Sequence, residues 1–245
     1  MKAAADTIKR VSLELGGKSP NVVFEDADLS RCVEGSANSV FSNAGQDCCA
    51  RSRAIVHRKI YDQFLDGIVR RTKAFVVGDP TKAETEIGPM ISPQQRKRAA
   101  EYIRIGQEEG AKLACGGEIP DGALAQGAYL KPTVLGKAKP EMRVVREEIF
   151  GPVLCVLPFE TEEEAVRLAN ATEYGLSGSI WTREVGRALR VMRAVKSGVL
   201  SVNSPTSVHL EAPFGGFKKS GIGRELGMKA MDLYSETKNV FISEE

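Results

Sequence analysis

Two adjacent cysteines, Cys48 and Cys49, follow a Gly-Gln turn in the stretch FSNAGQDCCARSR, residues 41 to 53. A cysteine performs covalent chemistry as its thiolate, and a free thiol with pKa ~8.5 supplies only a few per cent of that form at neutral pH. A neighbouring group must therefore activate it or take its proton. The only histidines are His57 and His209. His57 closes the apolar run RAIV, where an exposed strand end is the plain reading, and His209 sits in the loop SPTSVHLEAP. A Cys–His dyad is not the obvious choice. Glu14 in LELGG and Glu148 in EEIFGP are better candidates for a base, because each stands beside glycine, which permits unusual backbone angles and close ligand approach. A glutamate in an apolar pocket is tuned towards neutral pKa and serves as a general base. Taken singly, each signal also has a structural reading: a glutamate that shapes a Gly-Gly turn, a cysteine that fills a core.

Helical and strand patterns alternate along the chain. Leu29, Cys32, Val33, Ala37, Val40 and Phe41 follow helical spacing after a cap region at Asp26 to Asp28. RAIVH reads as a short strand, and Ile60, Phe64, Leu65, Ile68 and Val69 as a second helix that stops before VGDP. Residues 92 to 109 predict a third helix with a polar, basic exterior, and Arg96, Lys97 and Arg98 read as its solvated face. VLCVLPF, 153 to 159, is a continuous apolar run of the buried-strand kind. Thr161 predicts a helix cap with Glu164 at the capping-box position. LSGSIWT and GVLSVN are strands, separated by a helix lined by Val185, Ala188, Leu189, Met192 and Val195. This order predicts an α/β domain with a mainly parallel sheet. IKRVSLELGG reads as a strand running into a Gly-Gly turn, which implies a preceding unit to cover the sheet. After PFGGFKKSGIGRE the pattern gives a short helix and then NVFIS, a strand suited to pairing with another chain. GIGREL has a G-x-G fragment without the third glycine or the preceding strand of a Rossmann fingerprint.

The 245 residues are 42% hydrophobic and 27% charged, an ordinary globular balance. A formal net charge of +2, from 34 basic and 32 acidic residues, argues against nucleic acid as a partner. No apolar run approaches the ~20 residues a bilayer requires, and MKAAADTIKR lacks a signal-peptide core. The expected compartment is cytoplasmic. The odd set of five cysteines contains no C-x-x-C pair, which argues against both a disulfide framework and a metal site.

In combination the signals are specific. LELGGKSPNVVFEDADL, FSNAGQDCCARSR, GDP with IGPMIS, EEIFGPVL, EYGLSGSIWT and APFGGFKKSGIGRELG occur in the order seen in the NAD(P)-dependent aldehyde dehydrogenase superfamily, which the chain resembles along essentially its whole length. The resemblance implies an aldehyde dehydrogenase-like catalytic domain, with NAD or NADP as cofactor and a small aldehyde as substrate. The nucleophile implied is the cysteine of G-Q-x-C, here Cys48, with Cys49 as packing filler beside it. The general base implied is the glutamate of E-L-G-G, Glu14. Glu148 and Phe150 of E-I-F-G-P match the positions that meet the nicotinamide ribose and the nicotinamide. Phe214 in PFGG matches a position lining the aldehyde tunnel, and the loop from Ser204 through Val208 to His209 matches the substrate-specificity loop. The implied chemistry is attack by the Cys48 thiolate, hydride loss to the cofactor, and release of the acid by water that Glu14 activates. Asp47 is a less common neighbour for the nucleophile; it either raises the thiol pKa, attracts a cationic aldehyde, or points away from the tunnel.

Full-length members of the superfamily are about twice as long. The resemblance therefore implies that most of the amino-terminal, Rossmann-like cofactor domain is absent. Residues 1–16 are expected to be its remnant, 17–214 the catalytic domain, and 215–245 a return segment with a carboxy-terminal oligomerisation strand. The partners implied are further copies of the chain or a complementing amino-terminal half. The alternative is a truncated or split-enzyme subunit without independent redox activity, acting as a docking partner or remaining as a remnant. A third reading is thiol-ester hydrolysis at Cys48 without redox chemistry.

Overall fold

Successive residues of a strand face opposite sides of its sheet, and the run around Pro20–Val23 is buried on both. Val23 joins one apolar cluster, whereas Val22 and Phe24 join another. That strand therefore lies at the centre of a sheet covered above and below. The structure is a computed structural model and describes residues 1–244. Its strands are β1 (Leu13–Glu14), β2 (Pro20–Val23), β3 (Arg53–His57), β4 (Lys112–Cys115), β5 (Thr133–Gly136), β6 (Val153–Phe159), β7 (Tyr174–Gly175), β8 (Ser177–Trp181), β9 (Val199–Val202), β10 (Phe217–Lys218) and β11 (Gly221–Ile222). Its helices are α1 (Lys2–Ala5), α2 (Leu29–Phe41), α3 (Tyr61–Ala74), α4 (Pro93–Glu108), α5 (Arg143–Arg146), α6 (Glu162–Ala169), α7 (Val185–Ala194) and α8 (Ala230–Leu233).

The main sheet has the order β4-β5-β6-β3-β2-β8-β9, and only β4 runs antiparallel to its neighbour. This is the mainly parallel α/β sheet that the sequence predicts. Phe41 of α2 and Phe64 and Ile68 of α3 pack with Val23, Ala54 and Val56 on one face. Leu168 of α6 and Val191 of α7 pack with Val22, Phe24 and Ile55 on the other. Helices on both faces explain why RAIVH and VLCVLPF are continuous apolar runs and not alternating ones. Two small ribbons stand apart: β1 pairs antiparallel with β11, and β7 with β10.

The helix starts follow their caps. Asp28, Ser92 and Thr161 each accept a hydrogen bond from the backbone N–H three residues on. Glu164 closes back onto Glu160 N at 2.9 Å, one residue before the capping-box position. Other expectations need correction. Val185, Leu189 and Met192 of α7 face outwards, and the helix packs through Ala188, Val191 and Val195. IKRVSLELGG supplies only the two paired residues of β1, because no other strand edge runs beside it. NVFIS, whose expected pairing is with another chain, makes no ladder within this one, and Val240, Phe241 and Ile242 stand exposed; a strand forms only when a neighbouring edge supplies its hydrogen bonds.

The amino ends of β2, β3 and β6 lie side by side, since Pro20 is in register with Arg53 and Arg53 with Cys155. Two buried cations brace this edge. The Arg53 guanidinium donates to the carbonyls of Lys18, Leu168 and Ala169 at 2.9 Å each. Lys18 is fully buried, and its Nζ has no hydrogen-bond partner among the described residues. Burial pulls the Lys18 ammonium down to about 8. Arg53→Met removes the donor from all three carbonyls and should cost about 3–5 kcal/mol in denaturant unfolding. Lys18→Met should stabilise the fold at pH 7 by about 1–3 kcal/mol. Because the folded-state pKa of Lys18 is depressed, the unfolded chain binds the extra proton between pH 8 and 10.5. The wild-type penalty, and with it the gain from Lys18→Met, should shrink as pH rises through that window; unfolding curves across it check the sign.

Candidate active site

Three loops converge where β2, β3 and β6 begin: residues 14–19, 46–52 and 148–152. Two absent side chains let them meet. A Cβ on Gly16 would lie 2.1 Å from Glu148 Oε2, and one on Gly17 would lie 2.3 Å from the Cys48 carbonyl oxygen. Gly17 N–H donates to Glu148 Oε1 at 3.1 Å. Gly45, at φ +70°, sits where a Cβ would strike the Gly151 carbonyl at 2.3 Å. The turn before Cys48 and the turn after Phe150 therefore touch backbone to backbone.

The result is an open cavity of about 430 Å³ lined by Glu14, Leu15, Gly16, Cys48, Gln95, Arg98, Glu148 and Phe150. Cys48 is half-buried and Cys49 buried. The neighbouring Cys49 thiol holds Cys48 below the usual thiol range, against burial and the charges of Asp47 and Glu14. Cys48 and burial in turn push the Cys49 thiol far up. Both Glu14 carboxylate oxygens are buried without a hydrogen-bond partner among the described residues. Burial raises the Glu14 pKa, Glu225 adds to the rise, and Arg224 opposes it. A raised glutamate beside a lowered thiol is the electrostatic signature of a site built for proton and covalent chemistry.

Of the residues singled out by sequence, Cys48, Glu14, Glu148 and Phe150 share this cavity. Phe150 is held at φ +57°, and Gln95 Nε2 donates to the Ile149 and Phe150 carbonyls at 2.9 Å each. The exposed Asp47 turns back on its own loop and accepts from Cys49 N at 2.7 Å. Its carboxylate and the two cysteine sulfurs have ligating atoms within 4.8 Å of one another. Ser204, Val208 and Phe214 do not line the cavity. Ser204 caps its own loop, with its Oγ accepting from Thr206 N at 3.1 Å, while Val208 is exposed. Phe214 bridges to Glu225 through paired backbone bonds of 2.7 Å, which brings it to the segment whose charge acts on Glu14. Gln95 and Arg98 were not foreseen. A basic triplet reads as solvated, yet Arg98 turns to the cavity and donates to the Glu148 carbonyl at 3.3 Å. A larger cavity of about 590 Å³ between Phe75, Leu113 and Pro132 holds Cys115, whose thiol burial pushes up.

The aldehyde dehydrogenase family model matches residues 1–240. The chain belongs to the aldehyde dehydrogenase family. It is 45% identical over 242 residues to betaine aldehyde dehydrogenase of Bacillus subtilis, covering 98% of this chain and 49% of that protein. The betaine aldehyde dehydrogenase of Sinorhizobium fredii is 46% identical over 240 residues. Among solved structures, betaine aldehyde dehydrogenase of Staphylococcus aureus in complex with NAD+ superposes with a TM-score of 0.92 at 41% identity, over 96% of this chain and 46% of that one. An aldehyde dehydrogenase from Bacillus cereus gives 0.95 at 43% identity, over 99% of this chain and 49% of that one. The chain thus spans about half the length of the relatives it matches. No helix among the described residues is long and apolar enough to cross a membrane.

Within this family fold the thiol pair has a direct test. The thiolate is the reactive form, so a neighbour that lowers the Cys48 pKa raises its alkylation rate at neutral pH. Iodoacetamide should modify Cys48 first, with a pH midpoint below ~8.5. Cys49→Ala removes the neighbouring thiol; the midpoint should move up and the rate at pH 7 should fall. Peptide mass mapping assigns the label.

Proposed function

We propose that the chain is the catalytic portion of an aldehyde dehydrogenase and that it oxidises an aldehyde to a carboxylic acid with NAD or NADP. The single observation that carries this is one cavity holding a lowered thiol at Cys48 and an unpartnered, raised carboxylate at Glu14. Residues 17–214 form the catalytic unit in this reading, as part of the carboxy-terminal half of a longer aldehyde dehydrogenase. The partners it calls for are further copies of the chain, met through the carboxy-terminal segment 215–245, or a complementing amino-terminal half. Five free cysteines fit a reducing, cytoplasmic compartment.

The cavity suits a nicotinamide and its ribose. It is open, it presents the half-exposed Phe150 ring, and the Glu148 carboxylate offers acceptors for ribose hydroxyls. Gln95 and the Arg98 cation stand on the same wall. A bound nicotinamide supplies the acceptor for hydride.

The Cys48 thiolate attacks the aldehyde carbon, a C–S bond forms, and the carbonyl oxygen takes up the negative charge. The Cys48 backbone N–H serves as a donor to that oxyanion in this reading. Loss of hydride from the same carbon leaves a thioester on Cys48. Glu14 takes a proton from water, the water oxygen attacks the thioester, and the thiolate departs from the acid. Glu14 acts in its ionised form, so the release step rises with pH through its raised pKa. The names of the relatives add a second reading of the substrate, a quaternary ammonium aldehyde. Asp47, turned back onto its own loop, gives that reading no support.

The test pairs residues 1–245 with the amino-terminal half of the Bacillus subtilis relative and follows NAD+ or NADP+ reduction over a panel of neutral and cationic aldehydes. Cys48→Ser should lose at least about 10³-fold and Glu14→Gln about 10²-fold or more. Full activity in either variant sinks the assignment.

A further inference from the structure

Arg51, three residues beyond Cys48, has no part in the chemistry above, yet it is only 4% exposed. Its Nε donates to Ser179 Oγ at 3.1 Å, its Nη1 to the Cys49 carbonyl at 2.8 Å, and its Nη2 to Ser207 Oγ at 2.5 Å. All three acceptors are neutral oxygens, and no ion pair holds Arg51 among the described residues. A buried cation without a counter-ion is expensive, and burial accordingly pulls the Arg51 pKa down. Such a cost persists where the geometry it enforces is needed.

The three acceptors belong to three different segments: the Cys48–Cys49 turn, β8, and the loop from Ser204 to His209. After β9 that loop doubles back along β8. The Ser204 carbonyl accepts from Ser179 Oγ at 3.1 Å and from Ser201 Oγ at 2.6 Å. Further on, Ser207 Oγ shares a 2.8 Å hydrogen bond with Ser177 Oγ. Ser179 Oγ and Ser201 Oγ lie 3.0 Å apart. The serine hydroxyls therefore lie beneath the loop, and the guanidinium ties them to the turn. A guanidinium is planar with its donors in a rigid fork, so it fixes the spacing of its acceptors; an ammonium is a point donor and does not.

We propose that Arg51 is a positioning residue that sets the distance between the Ser204–His209 loop and the Cys48 turn, and thereby the size of the molecule admitted to the thiol. The proposal rests on the reading of Cys48 as the nucleophile; the loop, which lies outside the cavity of Glu14 and Phe150, meets the Cys48 turn from the other side through Arg51. The fork acts on access, not on bond making.

The test uses residues 1–245 without cofactor, so a failure of the redox reading leaves its result intact. Two quantities are read: native-state cleavage after Glu211 by a glutamyl endopeptidase, and the ratio of Cys48 modification by a pyrene maleimide to that by iodoacetamide. Arg51→Met and Ser207→Ala should each raise both by about tenfold. The double variant should fall short of the sum of the single ones, since the Arg51–Ser207 link is common to both. Arg51→Lys keeps the charge and loses the fork, and should behave like Arg51→Met. Thermal unfolding reports whether each variant still melts cooperatively; if Arg51→Met does not, Ser207→Ala, which removes one hydroxyl, decides alone. An unchanged reagent ratio in a folded Ser207→Ala, additive effects in the double variant, or full protection in Arg51→Lys would each overturn the proposal.

Discussion

The absence of Cβ atoms at Gly16 and Gly17 is the constraint from which the site follows. Backbone occupies the space a side chain would claim, so the Glu148 carboxylate rests on one peptide and the Cys48 carbonyl on the next. Three loops that leave the sheet at different strands are thereby drawn to a single corner. Ligands of open parallel sheets commonly gather at the carboxyl ends of strands. Here the groups gather at the amino ends of β2, β3 and β6, because that is where the close-packed loops enter the sheet. The sheet supplies register, the glycines supply proximity, and neither would suffice alone.

The corner separates groups that need charge from groups that need neutrality. Cys48 is eased towards the thiolate by a neighbouring S–H, while Glu14 is eased towards the protonated form by burial and by Glu225. Both shifts move the groups towards the range in which proton transfer is efficient. Directly below, Lys18 and Arg53 carry positive charge into a dry interior, one without a partner and the other satisfied by carbonyls. The site thus stands on a base that is electrostatically costly and geometrically exact in its hydrogen bonding only at Arg53.

Much of this was legible in the residues. The buried strands announce themselves as unbroken apolar runs, and Asp28, Ser92 and Thr161 mark their helices because an N-cap is a local hydrogen bond. Glu14 and Glu148 stand out because each lies beside glycine, and the cysteine pair because it follows a Gly-Gln turn; only the resemblance to the family picks Cys48 over Cys49 and adds Phe150. What escaped is non-local. Arg98 sits in a run of basic residues that looks solvated, and only the docking of α4 beside the Glu148 loop turns it inward. Gln95 carries no signal until the Phe150 turn lies against it. The apolar face of α7 was misjudged because Val185, Leu189 and Met192 obey helical spacing as well as the buried residues do. NVFIS has the composition of a strand, but pairing is a property of two segments and not of one.

The short strand that carries Glu14 is held by residues from the far end of the chain: Leu13 faces Ile222, Glu14 faces Gly221, and Leu15 N–H reaches the Ser220 carbonyl. Closing a loop of some two hundred residues is entropically slow, and contacts of such span form late in folding. On a ribosome, the thiol's surroundings can assemble while the chain is still being made, but the glutamate has no seat until Gly221 and Ile222 have emerged. Cys48 therefore takes its place before Glu14 is secured, and an interrupted synthesis leaves the thiol without the carboxylate proposed to act beside it.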